Sequence, residues 1–302
     1  MKRTFILAAR LLALNIVYFV CFAAVSGSLL SVPEQQPSDA ESRTMLLALI
    51  AVGFLNSAVL THVILRSRLA GWRLMLTVFV ILFGVVTVMP QIETAVFLTK
   101  LPAGMLPRLF ISGAVFSALF APVAVLILGK ARGRALAVNN FGLGMTPREW
   151  IWKSVLIAAA YVAIYFSFGY FIAWRSPAVR AYYGGTDPGN FLAQMKTVLM
   201  DTPWLPLLQI LRAGLWMALA VPVIRMMKGH WWEGGLAVAL LFGVVMNSQL
   251  LLPNPLMPPA VRLAHLLETA TSNFLFGWII VWLLHARRSD ESHRSGSESD
   301  AA

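Results

Sequence analysis

A single cysteine, Cys21, occurs in 302 residues, so no disulfide can form within the chain and its loops must be held by packing. Charge is also scarce. Asp, Glu, Lys and Arg together make up 12% of the residues, while 59% are hydrophobic, against roughly 25% charged in an ordinary globular domain. With a mean hydropathy of +0.74, this composition excludes a soluble globular chain. Acidic residues are the scarcer sign, 13 against 24 basic. The basic excess does not point to nucleic acid, because it lies in short loops beside apolar runs and forms no patch interleaved with aromatics. No metal-binding, nucleotide-binding or catalytic-triad signature stands out, and no internal repeat is visible.

What the chain does have is long apolar runs. Stretches of about 20 residues, the length a helix needs to cross the hydrocarbon core, fall at 5–30, 44–65, 74–99, 109–128, 154–174, 204–226, 233–252 and 263–284. They predict an all-α, polytopic transmembrane bundle of about eight spans. Residues 1–288 would form one domain, and 289–302, rich in Ser, Asp and Glu, a disordered cytoplasmic tail. Placing the amino terminus inside puts Lys2, Arg3, Arg66, Arg68, Lys130, Arg132, Arg134, Lys228, Arg287 and Arg288 in the cytoplasm. Outside it leaves Arg43, Lys100, Arg108, Arg175, Arg180, Lys196 and Arg262. The positive-inside rule then places both termini in the cytoplasm, and the layout suggests a bacterial inner membrane. The first run also has the form of a signal peptide, with Lys2, Arg3 and Arg10 before an apolar stretch ending in small residues. Retention is favoured because the apolar run continues through Leu29 and Leu30, and a mature chain after cleavage would start near Ser26.

Several helix starts are written plainly. Thr146-Pro147-Arg148-Glu149 offers an N-cap, a first-turn proline and the Glu of a capping box. Thr202-Pro203 and Pro258-Pro259 would start the sixth and eighth spans. The proline-rich stretch 253–259 should be a stiff outer connection. Asn190 can cap a short amphipathic helix that puts Phe191, Leu192, Met195, Val198 and Leu199 on one face, lying on the outer interface. Trp72, Trp150, Trp152, Trp231 and Trp232 flank inner span ends and Trp174 and Trp204 outer ones, as interfacial anchors do.

Ionisable residues inside a membrane cost a few kcal/mol each and are usually paired or functional. At ~1.5 Å per residue from the outer ends, Glu93 and Glu268 come about 9 Å deep, Arg212 about 12 Å and His265 about 5 Å. Gln91, Asn247 and Gln249 come to similar depths, so spans three, six, seven and eight bring polar groups to one level. Pro90, one turn before Glu93, should kink the third span there. His265, Glu268 and Ser272 share a face of the eighth. The cluster can be a packing device, with Arg212 paired to Glu93 or Glu268. It can instead be an outward-facing pocket for a cation, a proton or a polar head group, since two carboxylates against one arginine leave negative capacity. A third reading is a zinc site of His265, Glu268 and Glu93. Ser248 and Ser272 lack flanking residues that would activate them as nucleophiles.

From Phe141 onward the layout resembles the CPBP family, the membrane-embedded CAAX-processing and bacteriocin-immunity-type proteins. The residues are Phe141-Gly142-Leu143 before a helix, Arg212-Ala213-Gly214, Phe242, and Phe276-Gly277. The family's enzymes carry Glu-Glu-x-x-x-Arg, where this chain has Leu207 and Leu208 ahead of Arg212. Their Phe-x-x-x-His would fall on Phe242 and Met246, with Asn247 adjacent, and their His-x-x-x-Asn/Asp element is missing, since His265 is followed by Thr269. The resemblance therefore implies the family's helical fold without its metal and general-base residues.

Taken together, the expectation is a non-catalytic membrane protein with an outer-leaflet polar pocket at Glu93, Gln91, Arg212, Asn247, Gln249, His265 and Glu268. It would contact the bilayer and bind or move a small polar ligand, an ion or a lipid head group, with no cofactor. The alternatives are an intramembrane metal-dependent hydrolase or transferase, and a structural subunit for a protein partner.

Overall fold

The computed structural model describes residues 2–29, 38–98, 101–133, 143–254 and 257–285. Lys100, Arg134, Phe141-Gly142, part of the proline-rich connection and the tail 289–302 lie outside the described residues. The elements are α1 (Lys2–Leu29), α2 (Asp39–Leu65), α3 (Gly71–Phe83), α4 (Met89–Phe97), α5 (Met105–Ile127), α6 (Pro147–Phe168), α7 (Pro177–Tyr183), α8 (Phe191–Asp201), α9 (Leu205–Met226), α10 (Trp231–Leu240) and α11 (Pro259–His285). Three π turns complete the spans: Gly84–Val88 joins α3 to α4, Gly169–Ala173 ends α6, and Leu241–Val245 extends α10, followed by a 3-10 turn Ser248–Leu251. Among the described residues eight helical spans are long and apolar enough to cross a membrane. The chain is an all-α, multi-pass membrane protein.

The caps show why helices begin where they do. Thr146 Oγ1 accepts from Glu149 N at 3.3 Å while Glu149 Oε2 accepts from Thr146 N at 2.9 Å, the capping box read from the sequence. Ser38 and Glu41 form a second box at the start of α2. Asn190 caps α8 through Ala193 N, and Leu192, Leu199 and Met200 of that helix are exposed, as on an interfacial helix. Thr202 departs from expectation. Its N–H and hydroxyl both donate to Val198 O, closing α8, and α9 starts later with Pro206 in its first turn. The loop before α8 also holds α7, begun by Pro177.

Packing is built on close approach by small residues, as expected where lipid removes the hydrophobic force between helices. α10 lies along α11, α6 packs on α9 and α11, and α1 packs on α2 and α5. A Cβ on Gly277 would lie 3.0 Å from the Ala239 backbone, and one on Gly243 2.7 Å from Phe274 Cβ. The centre is filled by Trp216, Phe242, Phe276 and Phe120, all buried, with Trp216 and Phe242 rings 4.2 Å apart. Outward-facing Leu207, Ile210, Leu211, Val155 and Phe54 are exposed, a surface suited to acyl chains.

At the basic end three connections clasp each other. Arg68 N donates to Met226 O at 2.6 Å, Lys228 N to Arg66 O at 2.8 Å, and Lys130 Nζ to Ser67 O at 2.9 Å. Arg66 and Glu233 form an ion pair across the same junction. Gly229 turns the chain there with φ +87°, where a side chain would be strained and its Cβ would displace Glu233 Oε1 and the Arg66 guanidinium.

Candidate charged site

The third span reaches the site through its π turn. Pro90 has no N–H to give the Val86 carbonyl four residues back, and Gln249 Nε2 lies 3.4 Å from that oxygen. The break anticipated at Pro90 is thus taken up by a π turn immediately before it. Glu93, one turn further, puts Oε1 2.5 Å from Arg212 Nη1 of α9. Arg212 is 2% exposed and Glu93 28%, so the cation is sealed in and the anion is partly open.

Around Arg212 the bundle supplies weak acceptors. Gln209 Oε1, one turn earlier, accepts from Nη1 at 2.9 Å. The Tyr161 ring of α6 lies 5.7 Å from the guanidinium carbon, within cation–π reach. Trp216 Nε1 holds Tyr161 by donating to its hydroxyl at 3.2 Å. Two donors, Arg212 Nε and Gln209 Nε2, are buried with no acceptor among the protein atoms.

A second acid–base pair lies on α11. His265 Nδ1 is 2.9 Å from Glu268 Oε2, and Nε2 is 3.2 Å from the Tyr183 hydroxyl of α7. Burial, then Tyr182 and the carboxylates of Glu93 and Glu268, hold the Tyr183 phenol above the ordinary tyrosine range, so it keeps its proton. With that hydroxyl as donor to Nε2, a neutral His265 would carry its own proton on Nδ1, facing Glu268. The side chains of His265 and Glu268 are 20% and 12% exposed. Tyr165 sits one turn past Tyr161 on α6, with the two rings 6.4 Å apart. Ser272, expected on the same face of α11, is buried and bonded to Thr269 O.

Four of the seven expected site residues, Glu93, Arg212, His265 and Glu268, therefore form two acid–base pairs. The other three do not. Gln91 is two residues from Glu93, about 200° round the helix, and lines a separate cavity of about 130 Å3 with Tyr18, Asn56, Ser112, Ser248 and Gln249. There Asn56 Nδ2 donates to Tyr18 Oη at 3.0 Å and Ser248 Oγ to Asn56 Oδ1 at 3.0 Å, while Gln91 Oε1 is buried without a donor. Asn247 is a buried brace whose Nδ2 donates to Phe242 O at 2.9 Å and Gly243 O at 3.0 Å, carbonyls of the third π turn.

As for metal, Glu93 turns to Arg212 and does not close a triangle with His265 and Glu268. Among the described residues no three His, Cys, Asp or Glu side chains converge as ligands would. The sequence reading missed Gln209, Tyr161, Tyr165 and Tyr183. Gln209 was findable as the polar residue one turn before a buried arginine, and Tyr161 and Tyr165 as hydroxyls spaced i, i+4 on an apolar helix. Tyr183 was not, because its helix is only seven residues long. No protein-family model, no curated protein and no solved structure matches this chain.

Proposed function

We propose that this membrane protein binds, and moves or senses, a small ligand at the charged cluster between α4, α6, α9 and α11, without catalysing a reaction on it. The ligand would carry a positive or hydrogen-bond-donating group: an ion, a proton, or the cationic part of a small polar molecule or lipid head group. The observation that carries this reading is the inequality of exposure within the cluster. Arg212 is enclosed at 2% exposure, whereas the side chains of Glu93 and Glu268 are 28% and 12% exposed, so an entering group would meet acidic side chains before the cation. The positive-inside rule turns this end of the bundle away from the cytoplasm, in a bacterial inner membrane. The CPBP resemblance fits a non-proteolytic role, since Leu207 and Leu208 stand where that family's enzymes have glutamates.

The test is heat unfolding of purified protein titrated with sodium, ammonium and tetramethylammonium chlorides at constant ionic strength, because a ligand of the native state raises the melting temperature by mass action. A saturable rise with one of these cations is expected for the wild type. It should vanish in the Glu268→Gln/His265→Asn variant, whose amides keep hydrogen bonding while removing charge. A double variant that folds and responds as the wild type does would end this reading and leave the cluster as a packing device. A second reading, an intramembrane hydrolase or transferase, draws on the Tyr183–His265–Glu268 chain, because a histidine oriented by a carboxylate is how many general bases are built. Zinc in one-to-one ratio with purified protein would select it.

A further inference from the structure

The basic end of the bundle holds a cavity of about 600 Å3 between α9, α10 and α11, within the size range of ligand pockets. Its polar lining comes from Arg68, His230 and His285, and its apolar lining includes Trp231, Ile224 and Val281. Gly234, in the first turn of α10, is buried, yet a Cβ there would meet nothing within 4 Å. A buried glycine with empty space beside it is uncommon in a close-packed interior, and here the space is the cavity.

The charge around the cavity has one sign. Lys130 is bonded to Ser67 O beside Arg68, and burial, then Lys228, push its ammonium below the usual lysine range. On the other side, buried Lys153 donates to Leu284 O next to His285. The nearby carboxylate, Glu233, is engaged by Arg66. The amino-terminal turn of α10 adds the positive end of a helix dipole. Exposed Trp72, Trp152, Trp231 and Trp232 at the same end mark the head-group level of the bilayer. Apolar walls beneath a basic lining at that depth suit an amphiphile with an anionic head.

We infer that this cavity is a binding site for a phosphate ester, in its membrane form an anionic phospholipid whose head group meets Arg68 and His285 and whose chain follows the apolar wall. This site is separate from the charged cluster at the other end, and the inference does not depend on the function proposed for that cluster.

Native mass spectrometry of the protein from mixed micelles of equimolar phosphatidylglycerol and phosphatidylcholine tests it. Retention of phosphatidylglycerol over phosphatidylcholine is expected, reduced about fivefold by Arg68→Gln, the worth of one basic residue at a membrane surface. Gly234→Leu should abolish retention at an unchanged melting temperature, because the side chain fills open space. If glycerol 3-phosphate displaces the lipid and stabilises the protein alone, the occupant is a soluble phosphate ester in the same site. Equal retention of the two lipids by the wild type, or full retention by a folded Gly234→Leu variant, overturns the assignment.

Discussion

Arg212 Nη1 and Glu93 Oε1 stand 2.5 Å apart, but the first residue is 2% exposed and the second 28%. The two halves of this ion pair are therefore not equivalent to remove. Glu93→Leu strands a cation that cannot shed its proton, whereas Arg212→Leu strands an acid that can take one up. Glu93→Leu should cost about 3–5 kcal/mol, Arg212→Leu clearly less, and the double variant less than the two together. Unfolding in detergent measures all three, and equal stability of Glu93→Leu and wild type would remove the pair from the account of stability.

Asn247 separates bracing from binding. Asn247→Leu removes the donor to the Phe242 and Gly243 carbonyls and should cost about 1–3 kcal/mol. The cation response of the charged cluster should survive it. Loss of that response without loss of stability would place Asn247 in the ligand site instead.

The contact between α10 and α11 should be intolerant of a single methyl group. Gly243→Ala puts a Cβ 2.7 Å from Phe274 Cβ and 2.9 Å from the Ala270 carbonyl oxygen, a clash with fixed atoms costing about 1–3 kcal/mol. Gly214→Ala on α9 meets nothing within 4 Å and should stabilise by up to about 1 kcal/mol through helix propensity. Melting temperatures moving in opposite directions confirm the contrast.

Orientation follows from charge and can be read with reporters. Fusions after Arg68 and Lys228 should report cytoplasm, and fusions after Asp187 and Asn254 the other side. Two contradictions among the four would reverse or break the topology.

Hydropathy carried the spans well because a bilayer leaves the backbone little choice. Polar caps carry two helices five and seven residues ahead of their apolar runs, at Ser38 and Thr146, while α3 and α5 start early without a side-chain cap. Pairing across the bundle was half legible. Depth counting brought Glu93, Arg212, His265 and Glu268 to one level, and they form two pairs, Glu93 with Arg212 and His265 with Glu268. Depth says nothing of azimuth, however, so Gln91, Asn247 and Gln249 were drawn into the same group although two of them face another cavity and one braces a helix end. Tyr161 went unread because a tyrosine in an apolar span looks like packing until a buried charge is found beside it.

The π turn Gly84–Val88 acts on the third span as a phase shift. Each residue in an α-helix advances the side chain by about 100°, and a π turn holds one more residue than regular winding would. Everything after Val88 is thus rotated by one step relative to α3, and that step aims Glu93 at Arg212. Deleting one residue within Gly84–Val88 would remove the extra residue and the wide turn together, giving an unbroken helix in which the glutamate keeps its direction. Winding the same residues as regular α-helix, with none deleted, would instead turn the glutamate away from Arg212 by about 100°. The aim of this carboxylate is therefore set by residue count and winding together, and a related chain could drop one residue and the π turn at once and still keep the pair.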